Sequence, residues 1–216
     1  MQYRGVIFDL DGTLIDSIED LANAMNTVLS NHNLPTHTVP TYKELIGNGI
    51  KRLVKESLPK KYQEEGAFDA LVTEMYEIYK ENCLIKTKPY DGINELLDLL
   101  EKKQIKYAIL SNKADAFCKS MVADIFSNRK FEMVMGTTDE AFKKPHPRGV
   151  FAICEKWNMK PEEVIFLGDS AVDIKTAQNS GTYGVAATWG FKSKEELVTA
   201  NPDALINHPM EFKDIL

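Results

Sequence analysis

Short apolar runs recur along the 216-residue chain, and stretches with helical spacing separate them. The runs do not alternate with polar residues, which is typical of strands buried on both faces of a parallel sheet. They cover residues 6–8, 107–110, 133–135, 164–167 and 184–187, with a weaker run at 204–206. The pattern predicts five main strands and one marginal strand.

Helical spacing fills most of the intervals between these runs. In the first predicted helix, apolar residues lie at i, i+3, i+4 and i+7, and Gly181 is placed to end the last one. The predicted helices cover residues 93–100, 114–126, 148–157 and 172–180. Alternation of strand and helix predicts an α/β fold, a Rossmann-like open parallel sheet with helices on both faces and strand order 3-2-1-4-5.

Residues 17–86 interrupt this alternation, because they carry helical stripes and no strand signal. The stripes span 21–29 and 71–79, with a loop at 35–40 and a short helix near 50–58 between them. A crossover normally uses one helix, so we predict an inserted α-helical cap domain over 17–86 and a core domain formed by 1–16 and 87–216. The alternative is that these helices pack directly on the sheet.

Composition narrows the possible partners. The net charge of −6 and the lack of a basic cluster argue against nucleic acid, and no apolar run approaches the roughly 20 residues that span a bilayer. Three scattered cysteines and an N-terminus without a signal-peptide core predict a cytoplasmic protein with free thiols. We expect a monomer or a weak homodimer.

Two carboxylates follow the first apolar run. Asp9 and Asp11 are two residues apart at a predicted strand end, so their side chains start on the same side of the chain. In open α/β sheets ligands bind beyond the carboxyl ends of the strands. Gly12 allows a tight turn whose backbone N–H groups, with those of Thr13, could cradle an anion. An Asp-Gly turn without chemistry is the alternative.

Polar residues also follow the second predicted strand and a proline-flanked loop. Ser111 and Asn112 offer a hydroxyl and an N–H to a phosphoryl oxygen, although an N-cap is the simpler explanation for Ser111 alone. Lys144 presents an ammonium before Pro145 and suits a phosphate, with Lys143 as an alternative. These residues form a candidate phosphate-binding set.

A further pair of carboxylates follows the fourth predicted strand. Asp169 lies at its end and Asp173 in the first turn of the next helix, where a negative charge also suits the helix dipole. Oxygen ligands without Cys or His favour Mg²⁺, which takes few protein ligands. If the first strand is central, its neighbours are the second and fourth strands. The three site-bearing strands are then adjacent, and their ends meet.

These motifs, in this order, resemble the haloacid dehalogenase-like hydrolase superfamily over essentially the whole chain. The details are similar to the phosphoglycolate phosphatase type: the segments 9–17, 46–49, 168–173 and 188–191 carry the likeness. Haloacid dehalogenases fit less well because they lack the second carboxylate, here Asp11. β-Phosphoglucomutases fit less well because they typically carry Glu-Asp and a later Gly where this chain has Gly168-Asp169 and Asp173.

The resemblance implies a role for each residue. Asp9 would be the nucleophile that forms an aspartyl-phosphate, and Asp11 the acid and base. Asp9, Asp169 and Asp173, with the backbone carbonyl of Asp11, would hold Mg²⁺. The phosphoryl oxygens would be bound by Gly12, Thr13, Ser111, Asn112 and Lys144. In the cap, we expect substrate choice to fall to Gly47, Asn48, Gly49 and Lys51, with Arg52 as an alternative to Lys51. A solvated helix face is the other explanation for these two cations.

The sequence therefore predicts a Mg²⁺-dependent phosphatase acting on a small phosphorylated metabolite such as phosphoglycolate. Two other readings stay open. One is a pyrophosphatase, a sugar-phosphate phosphatase or a phosphomutase on the same fold. The other is a non-catalytic member that binds a phosphorylated ligand, which the presence of Asp9, Asp11, Lys144 and Asp169 disfavours.

Overall fold

The computed structural model describes residues 3–63, 67–139 and 142–216, and the chain divides into two compact units. The core unit comprises Met1–Asp16 and Pro89–Leu216, and the helical unit comprises Ser17–Lys88. The junctions fall at 16/17 and 88/89, where the sequence predicted 16/17 and 86/87. That the helical unit acts as a cap stays a prediction.

A six-stranded parallel sheet forms the centre of the core unit, with order β5-β4-β1-β6-β7-β8. This confirms the predicted parallel sheet and its order 3-2-1-4-5, and the marginal run adds a sixth strand at one edge. The strands are β1 (Gly5–Phe8), β4 (Lys106–Ala114), β5 (Met133–Thr137), β6 (Val164–Gly168), β7 (Tyr183–Ala187) and β8 (Ala204–Ile206). β1 and β6 are fully buried, as their unalternated apolar sequences predict.

Within the described residues, five α-helices flank this sheet; the first four lie close to the predicted positions, and the fifth was not predicted. They are α5 (Ile93–Lys102), α6 (Asp115–Ile125), α7 (Arg148–Trp157), α8 (Ala171–Ser180) and α9 (Lys194–Thr199), with short 3₁₀ helices at Pro161–Glu163 and Pro209–Asp214. Ile153 and Trp157 of α7 pack with Ile7 and Phe166 of the sheet in one buried cluster. The helices thus cover the apolar strands and leave the strand ends to the loops.

Strand β4 is longer than the sequence predicted. The apolar run ends at Leu110, but pairing with β5 resumes at Ala114 after a register shift. Ser111 and Asn112 therefore lie inside β4, which corrects the prediction that they follow it. Backbone pairing does not require apolar side chains, and Gly136 of β5 approaches closely, since a Cβ there would lie 2.6 Å from the Lys113 carbonyl oxygen.

In the part of the helical unit that the structure describes there are four α-helices. They are α1 (Ile18–Asn31), α2 (Val39–Leu45), α3 (Ile50–Ser57) and α4 (Ala67–Asn82), with a 3₁₀ turn at Lys60–Tyr62. The two predicted apolar stripes lie on α1 and α4, which pack together. The predicted loop at 35–40 is wrong at its end, because Pro40 lies in the first turn of α2, where a missing N–H costs nothing.

Two further strands, β2 (Ile15–Asp16) and β3 (Lys88–Pro89), form a small two-stranded sheet where the chain passes between units. Among the described residues, no helix combines the length and the apolar character that crossing a membrane requires.

Candidate active site

Three carboxylates converge at the carboxyl ends of β1 and β6, which are neighbours in the sheet. Asp9 follows β1, and its N–H donates to the Leu167 carbonyl at 2.9 Å. Asp169 follows β6, and Asp173 lies in the first turn of α8. One carboxylate oxygen from each of Asp9, Asp169 and Asp173 lies within 4.8 Å of the others. We call these three residues the carboxylate cluster.

Lys144 supplies a positive charge to this cluster. Its Nζ lies 2.8 Å from Asp9 Oδ1 and 2.6 Å from Asp173 Oδ1, and its side chain is buried. The neighbouring Lys143 is only half-buried, so Lys144 is the lysine that the structure places among the carboxylates. Three carboxylates and one ammonium leave a formal charge of −2.

The pKa values show that the cluster lacks positive charge. Burial raises the pKa of Asp9 to about 6, with Lys144 opposing the rise and Asp173 adding to it. Burial, together with Asp173 and Asp9, raises the pKa of Asp169 well above its usual range. Burial acts to lower the pKa of Lys144, but Asp173 and Asp9 outweigh it and raise this pKa. Oxygen donors in this arrangement could hold a metal ion.

At three glycines, the lack of a side chain allows the backbone to pack directly against these carboxylates. Gly12 has φ +82°, and a Cβ there would lie 2.3 Å from Asp169 Oδ2. A Cβ on Gly190 would lie 2.3 Å from the Asp169 Cβ, and one on Gly168 would lie 2.2 Å from the Asp173 Cγ. All three distances are shorter than real Cβ contacts. No role was predicted for Gly168 or Gly190; Gly190 reaches Asp169 from a separate segment of the chain.

Asp169 is held by donors on both of its oxygens. The Thr13 hydroxyl donates to Oδ1 at 3.3 Å, and the Phe191 N–H donates to Oδ2 at 2.7 Å. The Trp189 indole N–H in turn donates to the Thr13 carbonyl at 3.0 Å. Segment 189–191 therefore orients Asp169. In the sequence, only the family resemblance of this segment indicated that it has a role. Thr13 was predicted to bind phosphate, and its hydroxyl is buried against Asp169.

The turn after β1 differs from the predicted anion cradle. The Gly12 N–H donates to the Ile15 carbonyl at 2.9 Å, and the Thr13 N–H donates to the Leu10 carbonyl at 3.3 Å. Both N–H groups are thus hydrogen-bonded within the turn. The turn is tight enough to close its own hydrogen bonds, a detail that residue types do not reveal. Phosphate binding by Gly12 and Thr13 stays a prediction.

Asn112 and Ser111 bind groups of the protein. The Asn112 side chain accepts from the Lys144 N–H at 2.7 Å and donates to the Lys144 carbonyl at 3.1 Å. This reciprocal pair fixes the backbone of the lysine that serves the cluster. The Ser111 hydroxyl accepts from the Lys113 N–H at 3.3 Å. Both side chains are buried.

Asp11 has a cation of its own, Lys113. Lys113 Nζ lies 3.1 Å from Asp11 Oδ1 and 3.0 Å from Oδ2. The sequence showed Lys113 next to Ser111 and Asn112 but assigned it no role. A buried lysine in β4, beside a carboxylate that follows β1, can be recognised only once the pairing of the two strands is known.

The predicted specificity residues lie at the start of α3 in the helical unit. Gly47 and Gly49 adopt positive φ values of +123° and +83°, which L side chains adopt rarely, and Asn48 between them is half-buried. Lys51 and Arg52 are exposed in the first turn of α3. The Gly-Asn-Gly segment lies directly before α3, at the helix start where backbone donors were expected.

The fold and this site define a class of hydrolase, and comparison with known proteins identifies it. The sequence matches the haloacid dehalogenase-like hydrolase family over residues 6–187. The chain therefore belongs to the haloacid dehalogenase-like hydrolase family, as the motifs predicted. It is a phosphoric monoester hydrolase, and it is similar to phosphoglycolate phosphatases.

Individual relatives match over nearly the whole chain. A phosphoglycolate phosphatase of Aquifex aeolicus is 30% identical over 99% of this chain and 96% of its own length. An N-acetylmuramic acid 6-phosphate phosphatase of Pseudomonas putida is 26% identical over 100% of this chain and 97% of its own length. The crystal structure of a predicted phosphoglycolate phosphatase from Haemophilus somnus has a TM-score of 0.91 at 27% identity, covering 100% and 98% of the two chains.

Proposed function

We propose that this phosphatase is Mg²⁺-dependent and hydrolyses a small phosphate monoester, with phosphoglycolate as the first candidate, through an aspartyl-phosphate on Asp9. The carboxylate cluster with Lys144 carries the proposal. It lies where two adjacent parallel strands end, in a chain similar over almost its full length to phosphoglycolate phosphatases.

Two carboxylates would divide the chemistry. The Asp9 carboxylate attacks phosphorus and displaces the alcohol, which takes a proton from Asp11. Asp11, now ionised, removes a proton from the water that cleaves the acyl phosphate and releases inorganic phosphate. Asp11 lies outside the carboxylate cluster, which supports a role for it distinct from that of Asp9.

Mg²⁺ would be held by Asp9, Asp169 and Asp173 with the backbone carbonyl of Asp11. A bound Mg²⁺ would neutralise charge on the phosphoryl oxygens. The formal charge of −2 on the cluster with Lys144 supports a divalent ion. Lys144 and Ser111 would bind phosphoryl oxygens, Asn112 would hold Lys144 in place, and Gly12 and Thr13 would shape the turn around them.

The helical unit would act as the cap and select the substrate. Gly47, Asn48 and Gly49 would present backbone N–H groups, and Lys51 or Arg52 would pair with a carboxylate on the substrate. The insertion of this unit directly after the segment that carries Asp9 and Asp11 supports the proposal. So does the exposure of both cations at the start of α3.

A sugar-phosphate phosphatase is the second candidate. The likeness to an N-acetylmuramic acid 6-phosphate phosphatase favours it. That substrate and phosphoglycolate each carry a carboxylate and a phosphate, so the same cap cation could serve either. The two candidates differ in the size of the group between these charges.

Phosphate release from a panel of substrates tests both candidates. The panel contains 2-phosphoglycolate, N-acetylmuramic acid 6-phosphate, glucose 6-phosphate and pyrophosphate, each with Mg²⁺. We expect one phosphate monoester to dominate kcat/KM, and Asp9→Asn, which keeps the shape but not the nucleophile, to lose at least ~10³-fold in kcat. Equal phosphate release by the wild type and Asp9→Asn would exclude catalysis at Asp9.

Replacing Lys51 tests the cap proposal. Lys51→Ala should raise KM for 2-phosphoglycolate by roughly tenfold, the loss of about 1.4 kcal/mol of binding, with little change in kcat. Ethylene glycol monophosphate, which lacks the carboxylate, should show no such change. Lys55→Ala, one turn further along α3, is the matched control. If Arg52→Ala alone raises KM, the contact belongs to Arg52.

A further inference from the structure

Lys113 is a buried charge that the proposed chemistry does not use. Its side chain is 3% exposed, against 15% for its partner Asp11, and its amine lies nearly equidistant from both Asp11 oxygens. Lysine side chains are rarely buried to this extent unless they are paired. The pair lies wholly within the core unit, next to the proposed nucleophile.

The surroundings of Lys113 fix its amine in place. Its backbone lies in β4, between β1 and β5, and its N–H donates to the Ser111 hydroxyl at 3.3 Å. On the other side, the absent side chain of Gly136 lets β5 approach its carbonyl oxygen. A lysine normally keeps considerable rotamer freedom, which burial on a central strand removes. The amine is therefore a fixed point charge.

Charge explains why Asp11 needs this partner. Asp11 is two residues from Asp9, and the carboxylate cluster with Lys144 already has a formal charge of −2. A fourth unpaired carboxylate beside it would be repelled or would draw Lys144 away. Lys113 places a positive charge of its own beside Asp11. The two lysines thus divide four carboxylates into two sets, one for Lys144 and one for Lys113.

We propose that Lys113 is a positioning residue that holds the Asp11 carboxyl group in a fixed orientation, apart from the carboxylate cluster, for proton transfer to the leaving alcohol. This proposal rests on the proposed function, since it presupposes that Asp11 serves as the acid. Lys113 would act through Asp11 and would not contact the phosphoryl group.

The nature of the leaving group can reveal this role. An alkyl alcohol is a poor leaving group and needs protonation, whereas 4-nitrophenolate leaves without it. Loss of a correctly placed acid should therefore slow an alkyl ester far more than 4-nitrophenyl phosphate. A residue that only stabilises the fold, or one that binds the phosphoryl group, would affect both esters alike.

Steady-state kinetics of Lys113→Met, Asp11→Asn and the double variant test the proposal. The substrates are the best alkyl monoester of the panel and 4-nitrophenyl phosphate, each with Mg²⁺. We expect Lys113→Met to lose ~10²-fold in kcat on the alkyl ester, little on the aryl ester, and to change KM slightly. In the Asp11→Asn background the same substitution should cause no further loss, because residues that act as a unit are not additive.

Three kinetic results would overturn the proposal. They are an equal loss on both esters, a loss that persists in the Asp11→Asn background, and a rise in KM with kcat unchanged. The last would assign Lys113 to phosphoryl binding. Lys119→Met is the control, since it removes an exposed lysine–aspartate pair at 2.7 Å on the following helix and should change neither substrate.

Folding is checked by thermal unfolding of each variant, and Lys113→Gln is measured in parallel because a polar side chain is better tolerated there. If neither variant folds, the role of Lys113 is to stabilise the fold, and the proposal fails. Failure of the proposed function itself is seen separately, in wild type that releases phosphate no faster than Asp9→Asn. That result would remove the basis for this proposal as well.

Discussion

Single residues decide how closely the loops of the core unit approach the carboxylates. Charged side chains supply the chemistry, but Gly12, Gly168 and Gly190 leave the space in which Asp169 and Asp173 lie. At Gly12 two requirements coincide, a positive φ and the lack of a Cβ next to Asp169. Gly12 is therefore more constrained than a glycine that is required only for the positive φ of a turn.

Gly12→Ala should separate these two requirements. The new Cβ would lie 2.3 Å from Asp169 Oδ2, so Asp169 must move, and we expect kcat/KM to fall by at least ~10²-fold. Gly181→Ala is the matched control, because Gly181 has φ +77° but its nearest heavy atom, on Pro161, is 4.0 Å away. Both variants should lose about 1–2 kcal/mol of unfolding free energy in urea, from backbone strain. Full activity in Gly12→Ala would contradict the role given to this contact.

Among the elements, the start of α1 is tied to the segment before β3. Asp20 is buried in the first turn of α1 and accepts hydrogen bonds from the Lys86 N–H, the Thr87 N–H and the Thr87 hydroxyl, at 2.7–3.0 Å. These residues all belong to the helical unit and lie close to its two junctions in sequence. The carboxylate thus joins the entry and the exit of the unit.

Asp20→Ala should destabilise the helical unit. It removes a charged acceptor from three donors, which should cost about 1.5–3 kcal/mol of unfolding free energy. Glu19→Ala is the control, since Glu19 is the adjacent first-turn acid of α1 and is exposed. Chemical denaturation of both variants measures the difference. Equal losses would show that only the helix dipole is involved.

At the scale of the whole molecule, this acidic protein concentrates uncompensated negative charge in the carboxylate cluster. Because burial and neighbouring carboxylates raise the pKa of Asp9 to about 6 and that of Asp169 well above its usual value, the folded state binds more protons than the unfolded state. The contribution of these two groups to stability is then greatest at low pH and is lost as pH rises through their folded-state pKa values. A metal ion on the same oxygens would replace those protons.

Metal-free protein should therefore unfold at a lower temperature at pH 8 than at pH 5.5. Mg²⁺ should raise the unfolding temperature more at pH 8, where it does not compete with protons. Chelator should also abolish phosphate release, and added Mg²⁺ should restore it. Thermal unfolding with and without Mg²⁺ measures the first effect, with Asp169→Asn as the control that should lose the Mg²⁺ response. Full activity in excess chelator would exclude the metal.

Much of the fold was predictable because burial leaves a direct trace in the sequence. Unalternated apolar runs marked every strand of the large sheet, and helical stripes marked α1, α4 and α5. The length of β4 was not predictable, because Ser111 and Asn112 are polar and yet remain in the sheet. The start of α2 was not predicted, because a proline usually indicates a loop. Pro40 is compatible with a helix only because it lies in the first turn of α2.

The candidate site can likewise be divided into features that were predictable from the sequence and features that were not. The sequence alone determined the fold class, the family and the side chains that carry charge, since apolar runs and short polar motifs are local patterns. Only the tertiary structure decided how those charges pair: Lys144 with the carboxylate cluster, and Lys113 with Asp11. It also decided that Gly190 and Phe191 lie against Asp169. Pairing across strands depends on distances between atoms that are far apart along the chain, and no local pattern specifies those distances.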